Sequence, residues 1–198
     1  NASSFRLINY LFHVINGFLI YVFVSLLWRL TVNNEQSHIA GLIAMMLFII
    51  HPIQTQAVNY ITQRMTLLSS GFSLIAMILF LKIRTSSKVE KSAWLLRIGF
   101  VTSVLLAVFS KPIAVCIFPF ILFLELLIIK NRPAKYQWLI TMFLCSLGII
   151  ILIGSIPGPI DTPRISITDY LLTQVIVTAK YFGLVLWPIN LSIDHFQA

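Results

Sequence analysis

The sequence predicts an all-α fold, a polytopic transmembrane helix bundle, and three observations predict it. Of 198 residues, 59% are hydrophobic and only 10% charged. The mean hydropathy is +0.94. The apolar residues fall in long runs, with most cations in the short stretches between them. Soluble domains carry roughly a quarter charged residues and under half apolar ones. A chain of this length can bury a core, but not this much apolar surface. Lipid is the solvent that fits.

The runs predict about six or seven transmembrane or interfacial helices, each measured against a hydrocarbon layer of roughly 30 Å. The first run, Phe5 to Leu30, is long enough to span. The second, Ile39 to Ile50, is short and ends at His51-Pro52, so it either borrows a turn from Asn33–His38 or stops at a recessed loop. The third runs from Met65 to Ile83 and the fourth from Trp94 to Phe109. The fifth, Ile113 to Ile129, contains Pro119, which lipid-buried helices tolerate. The sixth, Tyr136 to Ile156, closes at Pro157-Gly158-Pro159. A last helix, Asp169 to Trp187, carries Lys180 and either spans or lies along the interface.

The net charge of +8 raises nucleic acid as a partner. The distribution argues against it, because the cations alternate between two faces. Arg29, Lys82, Arg84, Lys88, Lys91, Arg97, Lys130, Arg132 and Lys135 fall on one face; Arg6, Arg64, Lys111 and Arg164 fall on the other. That bias is expected of a cytoplasmic face against an exterior one. The basic stretch 82–97 also suits anionic lipid headgroups. Cys116 and Cys145 lie inside apolar runs and read as small, packed hydrophobes, with no disulfide framework and no metal spacing. The opening at Asn1, with no charged leader and cleavage site, predicts an internal piece of a longer protein.

Polar residues at membrane depth are expensive and so become candidates. Arg6, Asn9, His13 and Asn16 recur at three–four–three spacing, one stripe of the first helix. Interhelical hydrogen bonding and the lining of a cavity both account for it. The stretch from His51 to Arg64 opens on a proline, suited to a first helical turn. It then repeats Gln56, Asn59/Tyr60 and Gln63/Arg64 on one face. Polar helices at that depth are tolerated where they line a water-filled cavity. His51, Arg64 and Lys111 would form a cationic cluster at the exterior boundary, fit for a phosphate, unless they reach only to headgroups. The exterior carboxylates are Asp161, Asp169 and Asp194, since Glu125 lies deep or near the inner face. No glycine-rich phosphate loop, metal-ligand spacing or Ser-His-Asp order is present.

The stretch His-Pro-Ile-Gln-Thr-Gln-Ala-Val-Asn-Tyr-Ile-Thr-Gln-Arg, His51 to Arg64, resembles a motif of the transmembrane and tetratricopeptide-repeat-containing O-mannosyltransferases and their bacterial relatives. Asn9, His13 and Asn16 resemble that family's His/Asn-bearing helix. Phe109-Ser110-Lys111-Pro112 resembles its Ser-Lys turn, and Tyr170 to His195 its closing segment. The resemblance implies a part of a GT-C-type fold and transfer of a sugar from a polyprenyl-phosphate donor to a protein hydroxyl. It implies a site on the exterior, periplasmic face of a bacterial inner membrane. There His51, Arg64 and Lys111 would hold the donor phosphate, with Asn9, His13, Gln56, Asn59 and Gln63 lining the cavity. It also implies an acidic catalytic residue in a loop before Asn1, and tetratricopeptide repeats after the chain. No cofactor is assignable; a divalent metal would need that acidic loop. Gln56 stands where many relatives carry Glu, and Pro112 where animal members tend to, so the substrate does not transfer residue by residue. A transporter or lipid-handling protein, and a membrane anchor for repeats, are the other readings.

Overall fold

The computed structural model describes residues 2–32, 35–85, 90–127 and 167–188. Among these, every regular element is helical. Helix α1 covers Ala2–Thr31, α2 Ser37–Ile50, α3 Thr55–Asn59, α4 Arg64–Thr85, α5 Glu90–Ser110, α6 Ile117–Leu127 and α7 Ile167–Leu186. Short 3₁₀ turns stand at Pro52–Gln54, Ile61–Gln63 and Pro112–Cys116. Two helices, over Ser4–Thr31 and Arg64–Thr85, are long and apolar enough to cross a membrane. A third crossing is counted if Ser37–Ile50 and Pro52–Asn59, which meet at 52°, form one broken span. Trp94–Ser110, Pro112–Glu125 and Leu172–Leu186 are shorter apolar helices. The expected sixth span, 136–156, lies outside the described residues.

The short second run takes Ser37 and His38 from the preceding stretch, so that α2 begins at Ser37. Its far end breaks for a covalent reason. Pro52 has no N–H to give the preceding turn. The next donor, Ile53 N, is taken by His51 Nδ1 at 3.2 Å. His51 itself turns extended, at φ −63° and ψ 123°, as a residue before proline is pushed to do. The chain then resumes as a 3₁₀ turn and α3, and breaks again at Tyr60. Pro119 sits in the first turn of α6, where backbone N–H groups lack α-helical partners and a proline is tolerated.

Helix α1 packs against α2 and α4, and α4 against α5. The α4–α5 pair is antiparallel: Ser69 Oγ donates to Ala107 O at 3.2 Å, and Phe80 meets Phe100 at 6.5 Å between centroids. The core lies between α4, α5 and α6 around Ala76, Phe80, Leu81, Ile121 and Leu124. Phe23 brings α1 to its edge. Close approach depends on glycine where α2 crosses α1: a Cβ on Gly41 would press on Ser25 Oγ and lie 2.8 Å from Tyr21 O. Cys116, expected among packed neighbours, is exposed on the outside of the helices. Apolar side chains such as Leu7, Leu47, Leu95 and Phe109 also face outward.

At the end of the bundle opposite Arg64, the ion pair Arg84–Glu125 joins α4 to α6. Arg84 Nε and Nη2 donate to the two carboxylate oxygens of Glu125, a residue only 5% exposed. The placement of Glu125 near the Lys82 end agrees with the sequence reading. Arg84, however, is spent on a side-chain partner.

Candidate functional site

The three buried polar residues of α1 act as rungs, and their partners are backbone carbonyls, at the breaks for Asn9 and His13 and in α4 for Asn16. Breaking a helix strands carbonyls, and a buried carbonyl needs a donor. Ile53 N would have closed the helical bond to Ile49 O, but it is on His51; His13 Nε2 reaches Ile49 O instead, at 3.3 Å. That bond requires the proton on Nε2. At the second break Asn9 Nδ2 gives its two N–H groups to Val58 O and Tyr60 O, both at 3.1 Å. One turn further along α1 beyond His13, Asn16 Nδ2 donates to Leu67 O of α4 at 2.9 Å. A Cβ on Gly71 would stand 2.7 Å from Asn16 Oδ1, so glycine leaves room for this rung. Asn9 is 0%, Asn16 2% and His13 5% exposed, so each bond forms out of water.

Beyond the second break the side chains converge. Lys111 Nζ donates to Thr66 Oγ1 at 2.8 Å. Thr66 Oγ1 in turn donates to Gln63 Oε1 at 2.6 Å. The relay fixes directions. Gln63 spends its oxygen, leaving its amide N–H groups, and Lys111 keeps two of three ammonium protons. Lys111 is set there by the α5–α6 connection: its N–H closes α5 on Ala107 O at 3.0 Å. The residue is held extended before Pro112.

Arg64 opens α4, beside Gln63 in sequence and on the same helical turn as Thr66. Its guanidinium stacks over the Phe5 ring of α1, 5.1 Å from Cζ to centroid. Stacking uses the face of the group and leaves its edge. That edge, Nε and Nη2, is buried and meets no hydrogen-bond acceptor among the described residues. The same two atoms of Arg84 form the fork that grips Glu125. Arg84 thus shows its fork filled by an oxyanion, and Arg64 presents the same fork, dehydrated, without one among the described residues.

The remaining predicted residues have other company. His51 accepts from Ile53 N at Nδ1, and its Nε2 donates to Val185 O of α7 at 2.9 Å. Both ring nitrogens are engaged, at the first break and not at the Lys111 relay. Asn59 Oδ1 accepts from Tyr10 OH at 3.1 Å. Gln56 is exposed on α3. The structure therefore brings Gln63 and Lys111 together through Thr66, with Arg64 adjoining. It sets Asn9 and His13 on the backbone of the breaks. Two contributors escaped the sequence reading, Thr66 and Phe5. Thr66 was within reach, since it continues the Gln56, Asn59, Gln63 spacing by one more turn. Phe5 carries no such signal, because its role arises only from the packing of α1 on α4.

The described residues Glu35, Glu90 and Glu125 lie at the other end of the bundle, and no group of three or more His, Cys, Asp or Glu converges among the described residues. Asp161 and Asp194 lie outside the described residues, as does the side chain of Asp169. No family model, no curated protein and no solved structure matches the chain.

Proposed function

We propose that the chain is the donor-binding part of a GT-C-type membrane glycosyltransferase, which moves a sugar from polyprenyl phosphate to a protein hydroxyl. One observation supports the reading: the Nε/Nη2 edge of Arg64 is out of water without an acceptor among the described residues, beside a lysine already oriented by Thr66. An unmet buried donor costs about 1–3 kcal/mol, and more when it is charged. A phosphate oxygen pair matches the fork in spacing and charge. Lys111 adds a point charge, and the Gln63 amide an uncharged donor. Because the fork is covered, occupation requires a local opening, and the irregular turn at Ile61–Gln63 is the adjacent backbone that can supply it.

Held this way, the phosphate develops its leaving-group charge against fixed donors as the glycosidic bond breaks. That favours bond cleavage more than it favours ground-state binding. The step needs a base for the acceptor hydroxyl, and none is assigned among the described residues. In this reading the helices cross a bacterial inner membrane with Arg64 and Lys111 at the exterior level. The polar rungs of α1 hold the broken span in place, and His51 shapes the break.

The broken span itself favours a second reading, passage of a lipid or anion without chemistry, since discontinuous helices frame many transport sites. Titration of a polyprenyl phosphate into the full chain in neutral-lipid nanodiscs, followed by assay of sugar transfer, separates the two. Arg64→Ala and Lys111→Ala are each expected to weaken binding about tenfold or more. Unchanged binding in both would sink the phosphate site. Binding with vesicle flux and no transfer would replace the enzyme by the transporter.

A further inference from the structure

At the Arg64 end of the bundle four buried polar atoms have no hydrogen-bond partner among the described residues: Arg64 Nε and Nη2, Asn9 Oδ1 and His13 Nδ1. The fifth such atom, Ser25 Oγ, lies apart at the α1–α2 crossing. The four belong to one stripe, because Phe5 under the Arg64 guanidinium, Asn9 and His13 follow one another at four-residue spacing on α1. Helical side chains lean back over residue i−4, so the His13 ring leans over the turn that carries Asn9. Both residues also face the same segment, since they bind Ile49 O, Val58 O and Tyr60 O of the broken span. With the His13 proton on Nε2, its Nδ1 is a bare lone pair, and Asn9 Oδ1 is an acceptor too. At 5% and 0% exposed, neither residue reaches bulk water.

The chemistry of that pair narrows its ligand. Two acceptors repel an oxyanion. A cation would be repelled by the Arg64 guanidinium over Phe5, and the described carboxylates that could offset this stand at the other end. What remains is a neutral molecule that donates two O–H bonds. We propose that a buried water bridges Asn9 Oδ1 and His13 Nδ1, as the inner end of a short file of water that meets the Arg64 fork at its outer end. Side chains one turn apart have Cβ atoms about 5–6 Å apart. One water donating twice at about 2.8 Å covers such a gap. Its oxygen stays open to a further donor, which the fork supplies through the file, so the water has the two to four partners that burial demands. The file ends before Asn16, whose Oδ1 packs against Gly71, 2.7 Å from where a Cβ would stand. The site rests on the helix geometry and on neither reading of function; a phosphate at the fork would displace only the outer water.

The test is water-edited solid-state NMR of the full chain in neutral-lipid bilayers, with nitrogen-labelled histidine and asparagine. Water polarisation is expected to reach the His13 ring and the Asn9 amide as readily as it reaches exposed His38. It should reach the Asn16 amide about tenfold more weakly, since no water stands there. Asn9 should keep its water contact in His13→Gln, whose amide replaces both the donor and the acceptor, and lose it in His13→Leu. Added polyprenyl phosphate sugar should leave the contact of the parent unchanged. A dry His13 in the parent, an Asn9 still wet in His13→Leu, or an Asn16 as wet as Asn9 would each overturn the bridge. Loss of the contact on adding the lipid-linked sugar would overturn it too, by giving the two acceptors to sugar hydroxyls.

Discussion

Asn16 and Gly71 show most directly how single residues hold this chain together. The Asn16 amide donates into α4 only because Gly71 has no Cβ. Gly71→Ala is expected to destabilise by about 1–3 kcal/mol through overpacking. In an Asn16→Ala background the same change should lose most of that effect, since its obstacle is gone. Gly183→Ala, with nothing within 4 Å of its Cβ position, should be neutral or stabilise α7 by up to about 1 kcal/mol. Thermal unfolding of the parent and the four variants (Gly71→Ala, Asn16→Ala, their combination and Gly183→Ala) in one detergent checks all three statements. Thr66 makes a different demand, because it orients Lys111 and Gln63 at once. Thr66→Val keeps the shape and removes both bonds. It should weaken phosphate binding about three- to tenfold with little change in stability, and Thr66→Ser should restore it. The spacing of the polar stripe on α1 was legible in the sequence. Its partners were not, because they are main-chain carbonyls about fifty residues away or less, two sets of them at breaks in the backbone and one inside α4.

Element boundaries followed local chemistry and so were mostly legible. The first and third apolar runs became α1 and α4 within a few residues. His51-Pro52 announced the end of α2, since proline removes a donor wherever the chain goes next. The second break, at Tyr60, had no such marker; what holds it is Asn9, forty-nine and fifty-one residues from the carbonyls it binds. The pairing of Arg84 with Glu125 was hidden for the same reason, because forty-one residues separate two groups that look like independent features of two helix ends. His51 joins the first break to α7, whose own side chains are largely exposed. His51→Ala should therefore raise hydrogen exchange around Ile53 and near Val185, and leave the α4–α5 core protected. Equal exchange in both proteins would show that neither contact holds these segments.

For the whole molecule, the two ends of the bundle divide the labour. One end presents a dehydrated arginine fork and an oriented lysine; the other pairs the buried carboxylate of Glu125 with Arg84 and leaves Lys82 and Arg97 exposed. In the proposed orientation the first faces the exterior and the second the cytoplasm. A cysteine placed at Thr62 should then react with a membrane-impermeant maleimide from outside, and one at Lys82 only after the membrane is opened. Composition and the apolar runs made the helical class legible, while the charge bias supports only the proposed orientation, which the labelling tests. The contrast between Arg64 and Arg84 needed three dimensions, since both are cations near helix ends in the sequence.

The central claim is that the Arg64 fork takes the phosphate of a polyprenyl-linked sugar. The most direct measurement is the dissociation constant of a polyprenyl phosphate for the full chain in neutral-lipid nanodiscs, compared with Arg64→Ala and Lys82→Ala. The account predicts a loss of about tenfold or more for Arg64→Ala and no change for Lys82→Ala. Equal affinity in all three proteins would contradict it.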